Sequence, residues 1–243
     1  MTVPPWSPPE TLAALPDLPR WVEARGMLLS GRCEILSCGE SAADVILQSR
    51  SAPLVVIAGD PPLEPLASCV AEPGPGVVLC APERADEVRP FLEGWKRIGA
   101  AIHRLRGDDP PISRGLTGYE IGILAEKDGS GRLGHLPSPL REEISSALSG
   151  GHVAAAMRDS IPVSFCYPVW ETETLWDVSV DTLESHRNRG LGAACAAFLI
   201  DHMRRHEKEP VWGALEDNAP SLAVASNLGF ARVDRMIVFL RQS

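Results

Sequence analysis

The stretch Arg187-Asn188-Arg189-Gly190-Leu191-Gly192-Ala193 decides how this chain is read. It lies between a strand-like run, Thr174 to Leu183, and an alanine-rich run of helical character. A helix that starts at such a corner binds phosphate, because its first amides are unpaired and carry the positive end of the helix dipole. Gly190 and Gly192 remove side chains, so backbone N–H groups can approach an anion closely. Arg187 and Arg189 add charge at the same place. The whole chain carries a formal net charge of -9, so positive charge confined to one corner points to a polyphosphate small molecule. A nucleic-acid backbone calls for a broad basic surface.

Two common phosphate loops fail here. A dinucleotide fingerprint needs a glycine or alanine three residues after its second glycine, where this chain has Cys195, and a Walker loop needs Gly-Lys-Ser/Thr, which is absent. What remains is an R-x-x-G-x-G turn after a strand. Downstream, Val211-Trp212-Gly213-Ala214-Leu215 reads as a short buried strand, Glu216-Asp217-Asn218 as a turn, and Ala219 to Leu228 as a helix ending at Gly229-Phe230.

That turn resembles the acyl-coenzyme A pyrophosphate loop of the GNAT N-acetyltransferase superfamily. The strand, Asn218, Ser221 and Leu228-Gly229-Phe230 follow it in the family's order and spacing, so the resemblance covers about the last hundred residues. It implies an α/β fold with a mixed, mostly antiparallel central sheet flanked by helices. It also implies an acetyltransferase that moves an acetyl group from acetyl-coenzyme A to a primary amine by direct attack in a ternary complex. By the same resemblance, the backbone of Thr182 and Leu183 pairs with the pantetheine arm, and Arg187, Asn188, Arg189, Gly190, Leu191, Gly192 and Ala193 take the pyrophosphate. Asn218 and Ser221 contact the cofactor from the next strand and helix. Many members place a tyrosine in that helix to protonate the departing thiolate, but the matching position here is Ala225, which leaves Ser226 or water to substitute. A non-catalytic coenzyme A-binding sensor or scaffold is the alternative.

An alkylamine is protonated at neutral pH, so a base is required. Glu171, Glu173, Asp177, Asp181 and Glu184 lie on or beside the strand that follows the cofactor. By the resemblance Asp177 is the first candidate, because its position before Arg187 is close to where some family members carry a carboxylate, and Glu173 is the second. Tyr167, one of two tyrosines with Tyr119, is the candidate to reach the cleft. His202 and His206 are one helical turn apart, but Met203, Arg204 and Arg205 lie between them and no third ligand is apparent, so no metal is expected. His186 reads as a solvated loop histidine.

With 243 residues and 44% hydrophobic content, the chain can bury a substantial core. No apolar run is long enough to span a bilayer and the first residues lack a signal-like pattern, so a cytoplasmic enzyme is expected. Six scattered cysteines without a C-x-x-C pair argue against disulfides and zinc.

The reading divides the chain into a proline-rich extended arm at 1–20, an α/β domain at 21–128 and the acetyltransferase domain at 129–243. The boundary is set by a break at Asp108-Asp109-Pro110-Pro111 and a turn at Lys127-Asp128-Gly129-Ser130-Gly131. In the first domain, strands are expected at 33–38, 44–48, 54–58 and 77–81, with helices at 63–70 and 85–98. A further strand is expected at 120–124, just before the boundary, and in the second domain a helix from Ser138 precedes three strands at 152–157, 162–167 and 174–182. The first domain is expected to help form the acceptor pocket or a dimer interface. The acceptor itself, a small-molecule or peptide amine, is mildly biased towards cations by the acidic balance.

Overall fold

A computed structural model describes residues 6–71, 74–107, 116–125 and 131–242. The break at 108–111 and nearly all of the turn at 127–131 lie outside the described residues, as do Pro4 and Pro5 of the arm. The rest of the arm departs from the extended expectation, because Pro8–Ala14 forms helix α1. Prolines 8 and 9 occupy the first helical turn, where a missing N–H costs nothing. Ser7 and Glu10 form a capping box that starts the helix. Helix α2, Val22–Ser30, follows and stops at Gly31, whose φ of +65° takes the chain out of the helix.

Among the described residues eleven strands form one sheet, in the order β1-β2-β3-β4-β11-β5-β10-β9-β8-β7-β6. The strands are β1 Cys33–Cys38, β2 Val45–Ser49, β3 Leu54–Ala58, β4 Val77–Cys80, β5 Lys96–Leu105, β6 Glu120–Ile123, β7 Ala154–Arg158, β8 Ile161–Glu171, β9 Leu175–Thr182, β10 Glu209–Leu215 and β11 Phe230–Leu240. Further helices are α3 Glu64–Cys69, α4 Ala85–Val88, α5 Ser138–Leu148, α6 Leu191–Arg204 and α7 Ala219–Asn227.

The expected strands of the second half are all present, and the tight β7–β8 turn is made by Asp159 and Ser160, both at positive φ. The helix expected at 85–98 is not. It ends after one turn, passes through a short 3-10 segment at Arg89–Phe91 that contains Pro90, and gives way to strand β5. Small residues suit the strand: Gly99, Ala100 and Ala101 are buried on a strand hemmed in by neighbours on both sides.

Laid side by side, the two halves repeat one topology. The series α2-β1-β2-β3-α3-β4-α4-β5 is matched by α5-β7-β8-β9-α6-β10-α7-β11. In each half the first three strands pair antiparallel and the third pairs parallel with the fourth. Each half then lends its last strand to the other, since β11 sits between β4 and β5, while β5 sits between β10 and β11.

One face of the sheet buries two separate clusters, Ile57, Cys80 and Phe239 under the first half's helices and Trp176, Leu199, Trp212 and Phe230 under α6 and α7. On the opposite face one cluster contains Met27 of α2, Val56 and Leu79 from the first half, and Leu175 and Val211 from the second, and another joins Ile144 of α5 to Phe165 and Tyr167 of β8. Helix α2 lies so close to β8 that a Cβ at Gly26 would stand 2.8 Å from that of Trp170. The halves therefore share a core as well as a sheet.

This exchange carries a direct test. Residues 131–243 produced alone lack β5, which joins β10 to β11, and are expected to show no cooperative unfolding by circular dichroism. Adding residues 6–107 in trans should restore a cooperative transition. A sharp melt of the isolated second half would show that β5 is dispensable.

Candidate functional site

Strands β9 and β10 run parallel but pair at only three positions, Leu175 with Glu209, Trp176 with Pro210 and Asp177 with Val211. Beyond Asp177 they part. Each remains held on its outer side: β9 pairs with β8 as far as Thr182, and β10 pairs with β5 as far as Leu215. The result is a gap inside the sheet whose facing backbone groups, from Val178 on one side and Trp212 on the other, have no strand partner in it. Such an edge accepts an extended ligand by main-chain hydrogen bonds. The equivalent strands of the first half, β3 and β4, pair at four positions, through Ile57 with Cys80 where β4 ends, so no comparable gap opens there.

The phosphate-type corner sits at the open end of the gap. Asn188 and Gly190 both take left-handed φ, 61° and 79°, so the backbone turns sharply before α6. Gly190 is the N-cap and no side chain caps the helix. The first amide committed to an intrahelical bond is that of Ala194, which donates to the Gly190 carbonyl at 3.0 Å. The amides of Leu191, Gly192 and Ala193 precede it at the positive end of a 14-residue helix. Gly192 has a second reason to be glycine, because a Cβ there would lie 2.7 Å from Val180 Cγ1 on β9. Arg187 donates through Nε to the Thr182 carbonyl at 3.2 Å, which ties the loop to the strand end. Nearby, His186 is not an isolated loop residue, since its Nδ1 lies 3.0 Å from the Tyr119 hydroxyl.

Asn218 and Ser221 stand across the gap with structural work of their own. Asn218 caps α7 by accepting from the Ser221 amide at 3.2 Å, and Ser221 Oγ accepts from Trp212 Nε1 at 3.0 Å. Ala225 is fully buried among Trp212, Leu228 and Phe230, and Ser226 is exposed.

Asp177 is the last paired residue before the strands part, with Oδ1 3.9 Å from the position a Cβ on Gly213 would take. Desolvation pushes its carboxyl well above the usual range, and the neighbouring Glu23 of α2 adds to the rise. Burial likewise pushes Glu23 up to about 7, and its Oε2 is buried without a hydrogen-bond partner. Two desolvated carboxyls with no cation between them hold a proton at neutral pH more readily than either would alone. Glu23 escaped the sequence reading because it lies in the other half of the chain, and nothing in a lone glutamate marks its partner.

The other candidates are placed elsewhere. Glu173 lies before β9, at the closed end of the gap, where Arg25 grips it through two bonds of 2.7 Å and lowers its pKa. Tyr167 is buried on β8, one strand away from the gap, and donates to Asp181 Oδ2 at 2.8 Å. Burial, reinforced by the acidic neighbours, holds its phenol proton far more tightly than usual, which is the wrong direction for an acid that must release it. His202 and His206 gain a third histidine, with His152 Nδ1 3.2 Å from His202 Nε2. Among the described residues no group of three or more such side chains is arranged to hold a metal ion, and no helix is long and apolar enough to cross a membrane.

If the corner is built as described, Gly190→Ala should cost about 1–2 kcal/mol through the left-handed φ alone, and Asn218→Ala about 1 kcal/mol through the lost cap. Both are read as shifts of the thermal midpoint.

Comparison with known proteins follows the same geometry. Residues 144–239 match the family model of GNAT acetyltransferases. A GCN5-related N-acetyltransferase-like protein from Streptococcus suis 89/1591 superposes with a TM-score of 0.74 at 16% identity, over 97% of this chain and 100% of that one. A GCN5-related N-acetyltransferase from Kribbella flavida gives 0.64 at 13% identity, over 92% and 94%. A tandem GNAT protein from the clavulanic acid biosynthesis pathway gives 0.56 at 15%, over 95% and 91%. At such identities the likeness concerns the fold. No curated protein matches the chain.

Proposed function

We propose that the chain moves an acetyl group from acetyl-coenzyme A to a primary amine by direct attack in a ternary complex, a reading supported by the match of residues 144–239 to the family model of GNAT acetyltransferases. The observation that carries the reading is the parting of β9 from β10 beside an uncapped helix start. An open strand edge suits the amide-rich pantetheine arm, and free first-turn amides with Arg187 and Arg189 suit its diphosphate. Acetyl-coenzyme A would supply an acetyl group already activated as a thioester.

The chain's own residues do the rest. Amides from Leu191 to Ala193 hold the diphosphate, and the backbone of Thr182 and Leu183 guides the arm into the gap. Asp177 stands at the inner end and accepts the proton that the incoming ammonium must lose. A carboxylate whose pKa is raised is a better proton acceptor than an ordinary one. Glu23 supplies part of that rise. Direct attack is favoured over a covalent relay because the nearby thiols are poor nucleophiles: burial pushes Cys195 up to about 12 and Cys166 well above its usual value. A thiol leaving group with a pKa near 8.5 tolerates the lack of a tyrosine at Ala225. Solution on the cytoplasmic side and a self-associated state stay part of the proposal.

The buried Ala225 also favours a second reading, a coenzyme A-binding sensor without turnover. Release of free thiol in the presence of an amine panel separates the two. For the enzyme, Asp177→Asn should lower kcat/KM by about 10²- to 10⁴-fold while coenzyme A binding by calorimetry stays within twofold. Coenzyme A binding without thiol release from any amine would leave the sensor reading standing.

The carboxyl pair also sets a pH dependence. Both groups have folded-state pKa values above their unfolded values near 4, so the stability they permit is complete below about pH 4 and declines as pH rises through about 7, the value for Glu23. Glu23→Gln should therefore flatten the fall in melting temperature between pH 5 and 8 and leave the variant more stable at pH 8. For a chain of this size each kcal/mol is worth about 2–4 °C. It should also move the acidic limb of kcat/KM to lower pH.

A further inference from the structure

Three histidines meet at the end of α6 that lies away from the phosphate-type corner. His202 sits in the last turn of the helix, His206 in the turn that follows it, and His152 just before β7. Ring centroids are 5.3 Å apart for His152 and His202, 5.2 Å for His152 and His206, and 4.8 Å for His202 and His206. His152 Nδ1 stands 3.2 Å from His202 Nε2, and His206 Nδ1 donates to the His202 carbonyl at 3.0 Å. The first two rings are half-buried and the third is exposed.

The contact between His152 and His202 limits the protons it can hold. One of the facing nitrogens must donate and the other accept, which is met when both rings are neutral or when one is charged. When both are charged, two N–H groups point at each other and two positive charges share a ring contact. A protonated His206 adds a third.

The surroundings offer little to offset that charge. On α6, Asp201 is taken by Arg205, and Arg204 pairs with Glu209 of β10 at 3.0 Å. Glu171 of β8 pairs with Lys208 at 3.0 Å, and Glu207 is exposed in the turn beyond the helix. The negative end of the α6 dipole, worth roughly half a charge, favours one proton at the trio and falls short of two. Burial lowers the pKa of both His152 and His202, and the neighbouring rings and cations outweigh the opposing pull of Glu171 and Asp201.

We propose that the trio is an acid-opened latch, which ties the end of α6 to the start of β7 while its rings are neutral and lets go as pH falls through the histidine range. The same helix presents its first amides at the phosphate-type corner, so the latch secures the far end of the element on which that corner is built. It does not depend on the acetyltransferase reading. Because the unfolded rings take up protons first, at about pH 6.5, the contribution of the latch is complete above that value and fades below it. Each excluded proton lowers the closed population by up to about tenfold per pH unit. This trend opposes that of Glu23 and Asp177, so variants isolate it better than the wild-type profile alone.

His152→Asn and His202→Gln place an amide where Nδ1 and Nε2 stand, keeping a hydrogen bond and removing the charge. Amide hydrogen exchange on the full chain, corrected for the intrinsic pH dependence, reads the latch directly. Between pH 7.5 and 5.5, protection of residues 200–206 should fall about tenfold in wild type and within about twofold in either variant, while that of β5 holds. The thermal midpoint of each variant minus that of wild type should be more positive at pH 5.5 than at pH 8, a difference that stays readable if a variant is less stable at both. No loss of protection in wild type, or an equal loss in wild type and both variants, overturns the inference.

Discussion

Everything at the site depends on two parallel strands that stop pairing after Asp177 and Val211. A gap in the middle of a sheet leaves backbone donors and acceptors unmatched, and it persists because each strand is committed to another partner on its far side. β10 is fixed by β5, a strand that belongs to the first half. The half that lacks a phosphate-type corner thus holds open the cleft of the half that has one. The contrast with β3 and β4, paired at four positions to the end of β4, shows that the opening is a local choice and no necessity of the topology.

Helix α2 has a comparable reach. It packs on the shared face of both halves and carries Glu23 to Asp177, Arg25 to Glu173, and Leu29 to the rim of a groove between α2 and α5. Gly26 lets it approach β8 at a distance no other residue would allow. One nine-residue helix therefore tunes a carboxyl at the inner end of the gap, anchors the turn that leads into β9 and shapes the neighbouring groove.

Much of the second half was legible because its signals are local. Glycines at 190 and 192, the alternation along Thr174–Thr182 and the Asn218 cap each act within a few residues, and the match over 144–239 agrees with them. The first half was harder for physical reasons. Its equivalent corner, Gly59-Asp60-Pro61-Pro62, has neither the second glycine nor the arginines, so the repeat leaves no trace in motif form. Strand β5 was read as the tail of a helix because its character comes from lying between two strands of the other half. The pairing of Glu23 with Asp177 across halves has no sequence period to betray it.

The reciprocal exchange of last strands has a consequence for how the chain is made. β11 ends at Leu240, and until the ribosome releases it the first half shows β4 as a bare edge, ready to pair with any passing extended segment. From the synthesis of β4 to that of β11 the nascent chain therefore carries a sticky border, and completion of both halves must wait for β11. Growth conditions that slow elongation, or scarcity of holding chaperones, would then govern how much material escapes clumping.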